Sequence, residues 1–254
     1  MALEQLDLET GLNKEDYAIK LIRDHEPPEG YYLAFSGGKH SIIAEHLTMR
    51  SGVRYDSHYC FSPIDPPQVW DFIKTNYPNV QWDYHAKGFW KLVIKNDLPL
   101  RQQRWCCRYI KEVGGENRVN IVGNCAYESS NRSHQCFYEP QDHSVKHAHN
   151  KTLLRPILKF SEFDTWQYII KYKLPYCELY DRGYERIGCI LCPNNKEVEK
   201  HEHDFPKICN LWKLACNHIV EGYKARGYIS KRGKPMKFKP KTGDELYQWW
   251  IKRK

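Results

Sequence analysis

The sequence predicts an α/β fold, in which a parallel sheet is flanked by helices. Short apolar runs of strand length alternate with amphipathic runs of helical length from residue 31 to residue 172, and this alternation favours right-handed crossovers between parallel strands. A glycine-rich segment joins the first apolar run to the first amphipathic run, as in sheets that bind ligands at the carboxyl ends of their strands. Both observations point to one main α/β domain.

The elements are assigned in order along the chain. Residues 1–28 are predicted to form a helical lead-in that ends at Pro27-Pro28. Apolar runs bounded by turn residues predict strands at residues 31–35, 53–61, 80–85 and 119–122. Apolar positions at helical spacing predict helices at residues 42–50, 66–77, 89–96, 104–113 and 162–172. Residues 139–151 are polar and turn-rich, which predicts a mobile excursion.

The composition excludes several classes of protein. The chain has 254 residues, of which 41% are hydrophobic and 28% are charged, so a fibrous or wholly disordered chain is excluded. No run approaches the roughly 20 apolar residues of a membrane span, and the acidic start does not resemble a signal peptide, so we expect a cytoplasmic protein. In that reducing compartment, its ten cysteines favour metal, cluster or redox chemistry over disulfides.

A glycine-rich loop is the first chemical motif. Two glycines let the backbone approach a phosphate, and a lysine and two hydroxyls stand beside them at a predicted helix start, which favours a phosphate cradle. The alternative is a tight strand-to-helix turn that uses glycine only for its backbone freedom. The segment reads Ser36-Gly37-Gly38-Lys39-His40-Ser41.

Four cysteines form the second motif. Cys106 and Cys107 are adjacent, and Cys189 and Cys192 form a Cys-x-x-Cys pair much further along the chain. Four thiolates suit a [4Fe-4S] cluster or a zinc ion. Neighbouring side chains on a helix diverge by about 100°, which favours the larger cluster over one small ion. A redox pair, or cysteines that are simply buried, are the other interpretations.

Both motifs resemble known families. The glycine loop resembles the SGGKDS loop of the PP-loop ATP pyrophosphatases, the adenine nucleotide alpha hydrolase superfamily, with His40 in place of the aspartate. The cysteine spacing resembles the cluster ligands of adenylylsulfate reductases within the phosphoadenosine phosphosulfate reductase family. Further segments are similar to motifs of that family, with Cys125 where the family usually has arginine. They are residues 65–67, 122–132, 153–157, 166, 174–176 and 179–184.

This resemblance implies an organisation and a set of functional residues. It implies a Rossmann-like, PP-loop nucleotide-binding domain with the four-cysteine site at residues 29–200, and a helical and basic segment at residues 201–254. The implied ligands are ATP or an adenylated sulfonucleotide and a [4Fe-4S] cluster or zinc, with Mg²⁺ as a further candidate. The implied nucleotide-binding residues are Ser36, Gly37, Gly38, Lys39, Ser41, Gly123 and Arg155. The implied catalytic residues are Lys39, Glu128 and Arg132, and the implied metal ligands are Cys106, Cys107, Cys189 and Cys192.

Positive charge is concentrated at the end of the sequence. Residues 223–254 contain 11 lysines and arginines and two acidic residues, whereas the whole chain has a net charge of +8. With its aromatic residues, this basic segment predicts a contact with nucleic acid through phosphates and stacked bases. The alternative is a solvated flap over the nucleotide site, anchored by its tryptophans.

Three functions follow from the resemblance. The first is ATP-dependent, pyrophosphate-releasing activation linked to sulfur transfer, with nucleic acid as the acceptor and a separate protein as sulfur or electron donor. The second is reduction of adenylylsulfate or its 3′-phosphorylated form; the family's assimilatory reductases use a C-terminal cysteine that has no counterpart after Cys216. The third is nucleotide or nucleic-acid binding without catalysis, suggested by His40 and Cys125.

Overall fold

A computed structural model describes residues 3–7, 10–86, 88–140, 150–195, 197–231 and 233–252. The chain divides into two compact units that are interleaved along the sequence. The first comprises Met1–Phe61, Pro67–Tyr84 and Glu112–Ile187, and the second comprises Ser62–Pro66, His85–Lys111 and Gly188–Lys254. This division groups three parts of the predicted middle domain, residues 62–66, 85–111 and 188–200, with the C-terminal segment.

The first unit is built on a six-stranded sheet in the order β3-β2-β1-β4-β6-β5. All neighbouring strands are parallel except β5 and β6, which are antiparallel. The central strand β1 is buried at Tyr31, Tyr32 and Leu33, as expected for a parallel strand covered on both faces. The strands are β1 (Tyr31–Ala34), β2 (Tyr55–Cys60), β3 (Gln81–Asp83), β4 (Val119–Val122), β5 (Tyr138–Pro140) and β6 (Thr152–Leu154).

Five helices accompany this sheet. Helix α1 is N-capped by Asn13, and α6 begins with a capping box in which Ser161 and Asp164 satisfy each other's backbone N–H groups. Helix α2 directly follows the glycine loop. The helices are α1 (Lys14–Asp24), α2 (Lys39–Ser51), α3 (Pro67–Asn76), α5 (Ser130–Ser133) and α6 (Glu162–Lys171), with a 3-10 turn at Ala126–Glu128.

The second unit is helical. Helix α8 packs against α4, α7 and α9, and the rings of Trp212 on α8 and Trp250 on α9 are fully buried, with centroids 4.6 Å apart. The indole of Trp250 donates to the carbonyl of Pro99 at 2.7 Å, so this tryptophan of the basic segment is a core residue. The helices are α4 (Phe89–Asn96), α7 (Val198–Asp204), α8 (Pro206–Ala225) and α9 (Gly243–Ile251).

The structure differs from the predicted elements in three places. The predicted helix at residues 104–113 contains a π-helical turn at Cys107–Lys111. Strand β5 occupies the start of the predicted excursion at residues 139–151, of which residues 141–149 lie outside the described residues. Strand β6 was not predicted, because its short apolar run ends at once at Arg155-Pro156 and does not reach strand length. No helix among the described residues is long and apolar enough for a membrane span.

Candidate functional site

A cavity of about 710 Å³ lies at the carboxyl ends of β1 and β4 in the first unit. Its size is typical of pockets for small molecules and cofactors. The two strand ends contribute Ala34 and Val122, and the cavity is otherwise lined by the loops and helices that follow. The remaining lining residues are Ser36, Gly38, Lys39, His40, Ser41, Gly123, Asn124, Tyr127, Glu128, Arg132, Glu162, Tyr180, Glu185, Arg186 and Ile187.

The two serines of the glycine loop fix the loop's own shape. Ser41 Oγ donates to the carbonyl of Gly38 at 2.8 Å and accepts from the N–H of Ser36 at 3.1 Å. Gly37 has φ of +72°, and a Cβ there would lie 3.0 to 3.1 Å from the side chains of Val69 and Ile73, so any other residue would be strained. Gly38 caps α2 without a side chain, and the N–H of Lys39 donates to the Tyr180 hydroxyl at 2.9 Å. The N–H groups of the following residues of the first turn could bind an anion.

Gly123 sets the distance between β4 and the start of α2. A Cβ at this position would lie 2.7 Å from the carbonyl carbon and oxygen of His40 and 2.9 Å from the nitrogen of Ser41. These are backbone atoms, which cannot move aside as the end of a flexible side chain can. The glycine is therefore required for the close packing that positions the loop.

Lys39 is held within the cavity wall. Its side chain is 5% exposed, and its ammonium pairs with Glu162 and donates to the carbonyl of Glu185 at 2.9 Å. The Nζ atom also lies 5.4 Å from the ring centre of Trp166 and 5.3 Å from that of Tyr180. Burial alone would raise the pKa of Glu162, but hydrogen bonds from Lys39 and Tyr127 lower it below its usual value. The Glu162 carboxylate is therefore ionised at neutral pH.

Glu128 and Arg132, the other two predicted catalytic residues, form a second ion pair in the cavity. The Glu128 carboxylate also accepts the N–H of Cys125 at 3.1 Å. His40 lies beside them, and burial lowers the pKa of His40 to about 4, although the nearby Glu128 carboxylate acts in the opposite direction. His40 is therefore neutral at physiological pH. Of the three glutamates that line the cavity, Glu128 and Glu162 have cationic partners, and Glu185 is exposed.

Arg155, which was predicted to bind the nucleotide, is engaged in other contacts. Its side chain is 3% exposed, pairs with Glu139 at 2.7 Å and donates to the carbonyl of Cys136 at 2.9 Å. It is not among the residues that line the cavity. Its position holds the β5–β6 edge of the sheet, so its assignment to the nucleotide rests on the resemblance alone.

The cavity also contains side chains that the sequence did not single out. Glu162 and Tyr180 bond to Lys39 from 123 and 141 residues away along the chain, a separation at which no local pattern could connect them. Arg186 lines the cavity, is exposed, and forms no ion pair with any described residue. It is therefore the most accessible cation for a phosphate.

The four predicted metal-ligating cysteines come together in the second unit. A hydrogen bond with Cys107 raises the pKa of Cys106, and burial and the thiols of Cys189 and Cys192 raise it further, so all four are neighbours. All ten cysteines of the chain are described, and none forms a disulfide. These four residues could hold a cluster or a metal ion.

The Cys-x-x-Cys turn is supported by its surroundings. The N–H of Cys192 donates to the carbonyl of Cys189 at 3.1 Å, and Leu191, between them, has φ of +57°. The N–H of Leu191 donates to Nδ1 of His201, a buried histidine, at 3.0 Å. The turn is therefore fixed by one hydrogen bond within it and by a second one to His201. Such contacts orient metal ligands.

The four sulfur atoms are more widely spaced than the ligands of one small ion. Among the described residues, one set of three side chains, His40, Cys125 and Glu128, has ligand atoms within 4.8 Å of one another. No three of the four cysteines meet this distance. One zinc ion with Zn–S bonds of about 2.3 Å would need sulfur atoms about 3.8 Å apart. A cluster, whose cysteines bind separate iron corners, accepts a wider spacing.

Comparison with known proteins agrees with this architecture. The sequence profile of the phosphoadenosine phosphosulfate reductase domain matches residues 30–195, which is more than half of the chain. The chain belongs to this family. The resemblance stated from the sequence motifs is thereby confirmed.

Members of the family and related proteins match different parts of the chain. An uncharacterized protein of Methanocaldococcus jannaschii is 29% identical over 246 residues, which are 86% of this chain and 48% of that protein. The adenosine 5′-phosphosulfate reductase of Geobacillus thermodenitrificans is 30% identical over 102 residues, which are 38% of this chain and 41% of that enzyme. The chain thus spans about half the length, or less, of these curated relatives.

Solved structures share the fold. The phosphoadenylyl-sulfate reductase of Candida auris, in a phosphate complex, has a TM-score of 0.51 at 15% identity over 72% of this chain and 90% of that chain. The FMN adenylyltransferase of Candida glabrata in complex with ATP has a TM-score of 0.51 at 13% identity over 69% of this chain and 60% of that chain. These likenesses confirm the predicted α/β fold of the PP-loop type.

Proposed function

We propose that the chain binds an adenine nucleotide, ATP, in the cavity of the first unit and activates an acceptor with release of pyrophosphate, as one step of sulfur transfer. The observation that carries this proposal is the start of α2 at the carboxyl ends of β1 and β4, which has no side-chain N-cap and is brought against β4 by Gly123. Backbone N–H groups at such a helix start bind phosphate groups. The Candida glabrata enzyme of the same fold was solved with ATP, which supports this choice of ligand.

The cavity residues have distinct roles in this reaction. The acceptor oxygen would attack the α-phosphorus, forming a bond to it while the bond to pyrophosphate breaks. Arg186 and Arg132 would stabilise the negative charge that develops on the leaving pyrophosphate. Glu128 orients Arg132 through their ion pair. The ion pair with Glu162 positions the Lys39 ammonium group beside the glycine loop.

The four-cysteine site fits a [4Fe-4S] cluster better than zinc in this proposal. The support is the spacing of the thiol groups. Among the described residues, no three of these four cysteines have sulfur atoms close enough together for a single ion. When bound, the cluster would supply electrons or sulfur. Cys106, Cys107, Cys189 and Cys192 would be its ligands.

Reduction of adenylylsulfate or its 3′-phosphorylated form is the second candidate. The cysteine spacing and the 30% identity with an adenosine 5′-phosphosulfate reductase favour it. That reaction needs a thiol to attack the sulfur, and no cysteine is among the described residues that line the cavity. A thiol from another molecule or another segment would have to enter, which is why we favour activation by ATP.

A nucleic-acid acceptor remains part of the first proposal. Lys237, Lys239 and Lys241 of the basic segment are exposed and suit contacts with phosphates. Trp250 is buried in the second unit, and Trp249 stacks on Phe238 with ring centres 5.0 Å apart. These two tryptophans therefore serve packing, and we expect binding that depends on charge and weakens steeply with added salt.

The test compares the two nucleotides on anaerobically purified protein. Calorimetric titrations with ATP and with adenylylsulfate measure binding, and assays for pyrophosphate and sulfite follow turnover with RNA and DNA mixtures as acceptors. We expect ATP to bind and pyrophosphate to be released only when an acceptor is present. Sulfite release from adenylylsulfate would instead support the reductase, and ATP binding without turnover on any acceptor would support a binding protein. Failure of both nucleotides to bind would contradict activation by ATP and reduction of adenylylsulfate.

A further inference from the structure

We propose a second, mononuclear metal site in the first unit, formed by His40, Cys125 and Glu128 and suited to a zinc ion. One ligand atom from each of these residues lies within 4.8 Å of the other two. Tetrahedral zinc with bonds of about 2.0–2.3 Å places its ligands about 3.3–3.8 Å apart, so a closure of about 1 Å completes the site. It is separate from the four-cysteine site and does not depend on the proposed nucleotide function.

The hydrogen bonds of the imidazole determine which of its nitrogens can bind a metal. The Tyr127 hydroxyl donates its hydrogen to the Glu162 carboxylate, which can only accept. The same hydroxyl lies 2.8 Å from Nε2 of His40, so its oxygen must accept there and Nε2 must carry the proton. The Nδ1 atom of His40 is therefore left with its lone pair.

That lone pair faces another acceptor. Nδ1 of His40 lies 3.7 Å from Oε2 of Glu128, too far for a hydrogen bond and near the separation of two ligands on one zinc ion. Two lone pairs at this separation can both bind a metal ion placed between them. The same carboxylate oxygen also accepts from Arg132 and from the N–H of Cys125, and these donors can orient the carboxylate as a ligand.

The third ligand and the supporting contacts complete the set. Cys125 is fully buried, and its thiol donates to the carbonyl of Ile157 at 3.3 Å. Binding of Zn²⁺ would replace that hydrogen with a Zn–S bond and release the proton to solvent. Tyr127 on the imidazole and Arg132 on the carboxylate act as the outer contacts that orient metal ligands.

The donor set identifies the kind of metal. One nitrogen, one sulfur and one carboxylate oxygen suit zinc or a similar divalent transition metal, whereas Mg²⁺ prefers oxygen ligands in octahedral geometry. His40 and Glu128 line the cavity, so the ion could enter from it, and its fourth position would be open to water or a ligand. Three protein ligands with one open position are typical of catalytic zinc sites.

The experiment must separate this site from the four-cysteine site. Cluster-loaded protein is incubated anaerobically with zinc and desalted, and its zinc content is compared with that of the same protein before zinc addition. We expect about one additional zinc per chain, with an X-ray absorption spectrum of one sulfur and three nitrogen or oxygen ligands. Four sulfur ligands, or no additional zinc, would overturn the proposal without the need for any variant.

Variants then test the ligands one by one. Cys125→Ala and His40→Ala should lose the additional zinc, whereas Cys177→Ala, which alters another buried cysteine of the same unit, should keep it. Tyr127→Phe keeps the ring but removes the hydroxyl and should weaken zinc binding by about 10- to 100-fold. Retention of the additional zinc at unchanged affinity in Cys125→Ala would refute the ligand assignment. Circular dichroism confirms that each variant is folded.

Discussion

Replacement of Gly123 by alanine tests whether close backbone packing builds the phosphate site. The new Cβ would lie 2.7 Å from the backbone of His40, whereas ordinary contacts begin near 3.4 Å. The start of α2 must therefore move away from β4 by roughly 0.7 Å, the difference between these distances. Because the glycine loop and the first turn of α2 share this backbone, the phosphate-binding groups move with it.

The size of the effect follows from the overlap. Overpacking of a well-packed contact costs about 1–3 kcal/mol, and a loss of about 2 kcal/mol lowers the melting temperature of a chain of this size by about 4–8 °C. We also expect the affinity for ATP to fall by about tenfold, which corresponds to about 1.4 kcal/mol. Thermal unfolding followed by circular dichroism and calorimetric titration with ATP measure the two effects.

A matched control is available in the second unit. Gly222 lies within α8, and a Cβ there would contact only the end of the flexible Arg226 side chain, at 3.4 Å. Gly222→Ala should raise the free energy of unfolding by up to about 1 kcal/mol, because alanine is the better helix former, and should leave ATP affinity unchanged. Wild-type stability and wild-type ATP affinity in Gly123→Ala would refute the reasoning.

Three further predictions concern the cations, the cysteines and the acid limit of stability. Arg186→Ala should weaken ATP binding about five- to tenfold in the same titration with no change in melting temperature, because the side chain is exposed; a parallel loss of stability would contradict this. Cys189→Ser should abolish iron and sulfide in the anaerobically purified protein, and full cluster content would exclude it as a ligand. Burial alone would raise the pKa of Asp164, but hydrogen bonds from Lys14 and Ser161 lower it. The ionised Asp164 carboxylate therefore stabilises the fold at pH values above its pKa in the unfolded chain. This stabilisation is lost as the pH falls through its pKa in the folded protein. Asp164→Asn should therefore cost about 1–3 kcal/mol at pH 7, and this difference should shrink below about pH 4 in urea unfolding curves; a difference independent of pH would show that the carboxylate charge is not responsible.

The strands β1 to β4 could be predicted because each leaves a local signal. The central strand β1 is mostly buried and reads as a continuous apolar run, as is typical of a parallel strand covered on both faces. Strands β5 and β6 border the polar, turn-rich residues 139–151 and show no apolar run of strand length. The π-helical turn at Cys107–Lys111 depends on one shifted hydrogen-bond register, which residue spacing does not reveal. The interleaving of the two units is also set by tertiary contacts and leaves no trace in composition.

The site shows the same division between local and distant information. The glycine loop could be predicted because its six residues are contiguous, and Gly123 because its motif is. Glu162 and Tyr180 reach Lys39 only through the fold. Arg155 shows the opposite case, because the motif places it at the nucleotide whereas its guanidinium bonds to Glu139 and to the carbonyl of Cys136.

The pairing of charges in the cavity constrains how a polyphosphate can bind. Lys39 is paired with Glu162, Arg132 is paired with Glu128, and His40 is neutral. The cavity therefore presents little net positive charge, and the backbone N–H groups of α2 together with Arg186 cannot balance the full charge of a triphosphate. The remainder must be neutralised by a cation that the ligand brings with it. The proposed nucleotide should thus bind as its magnesium complex, with the metal held by the phosphates.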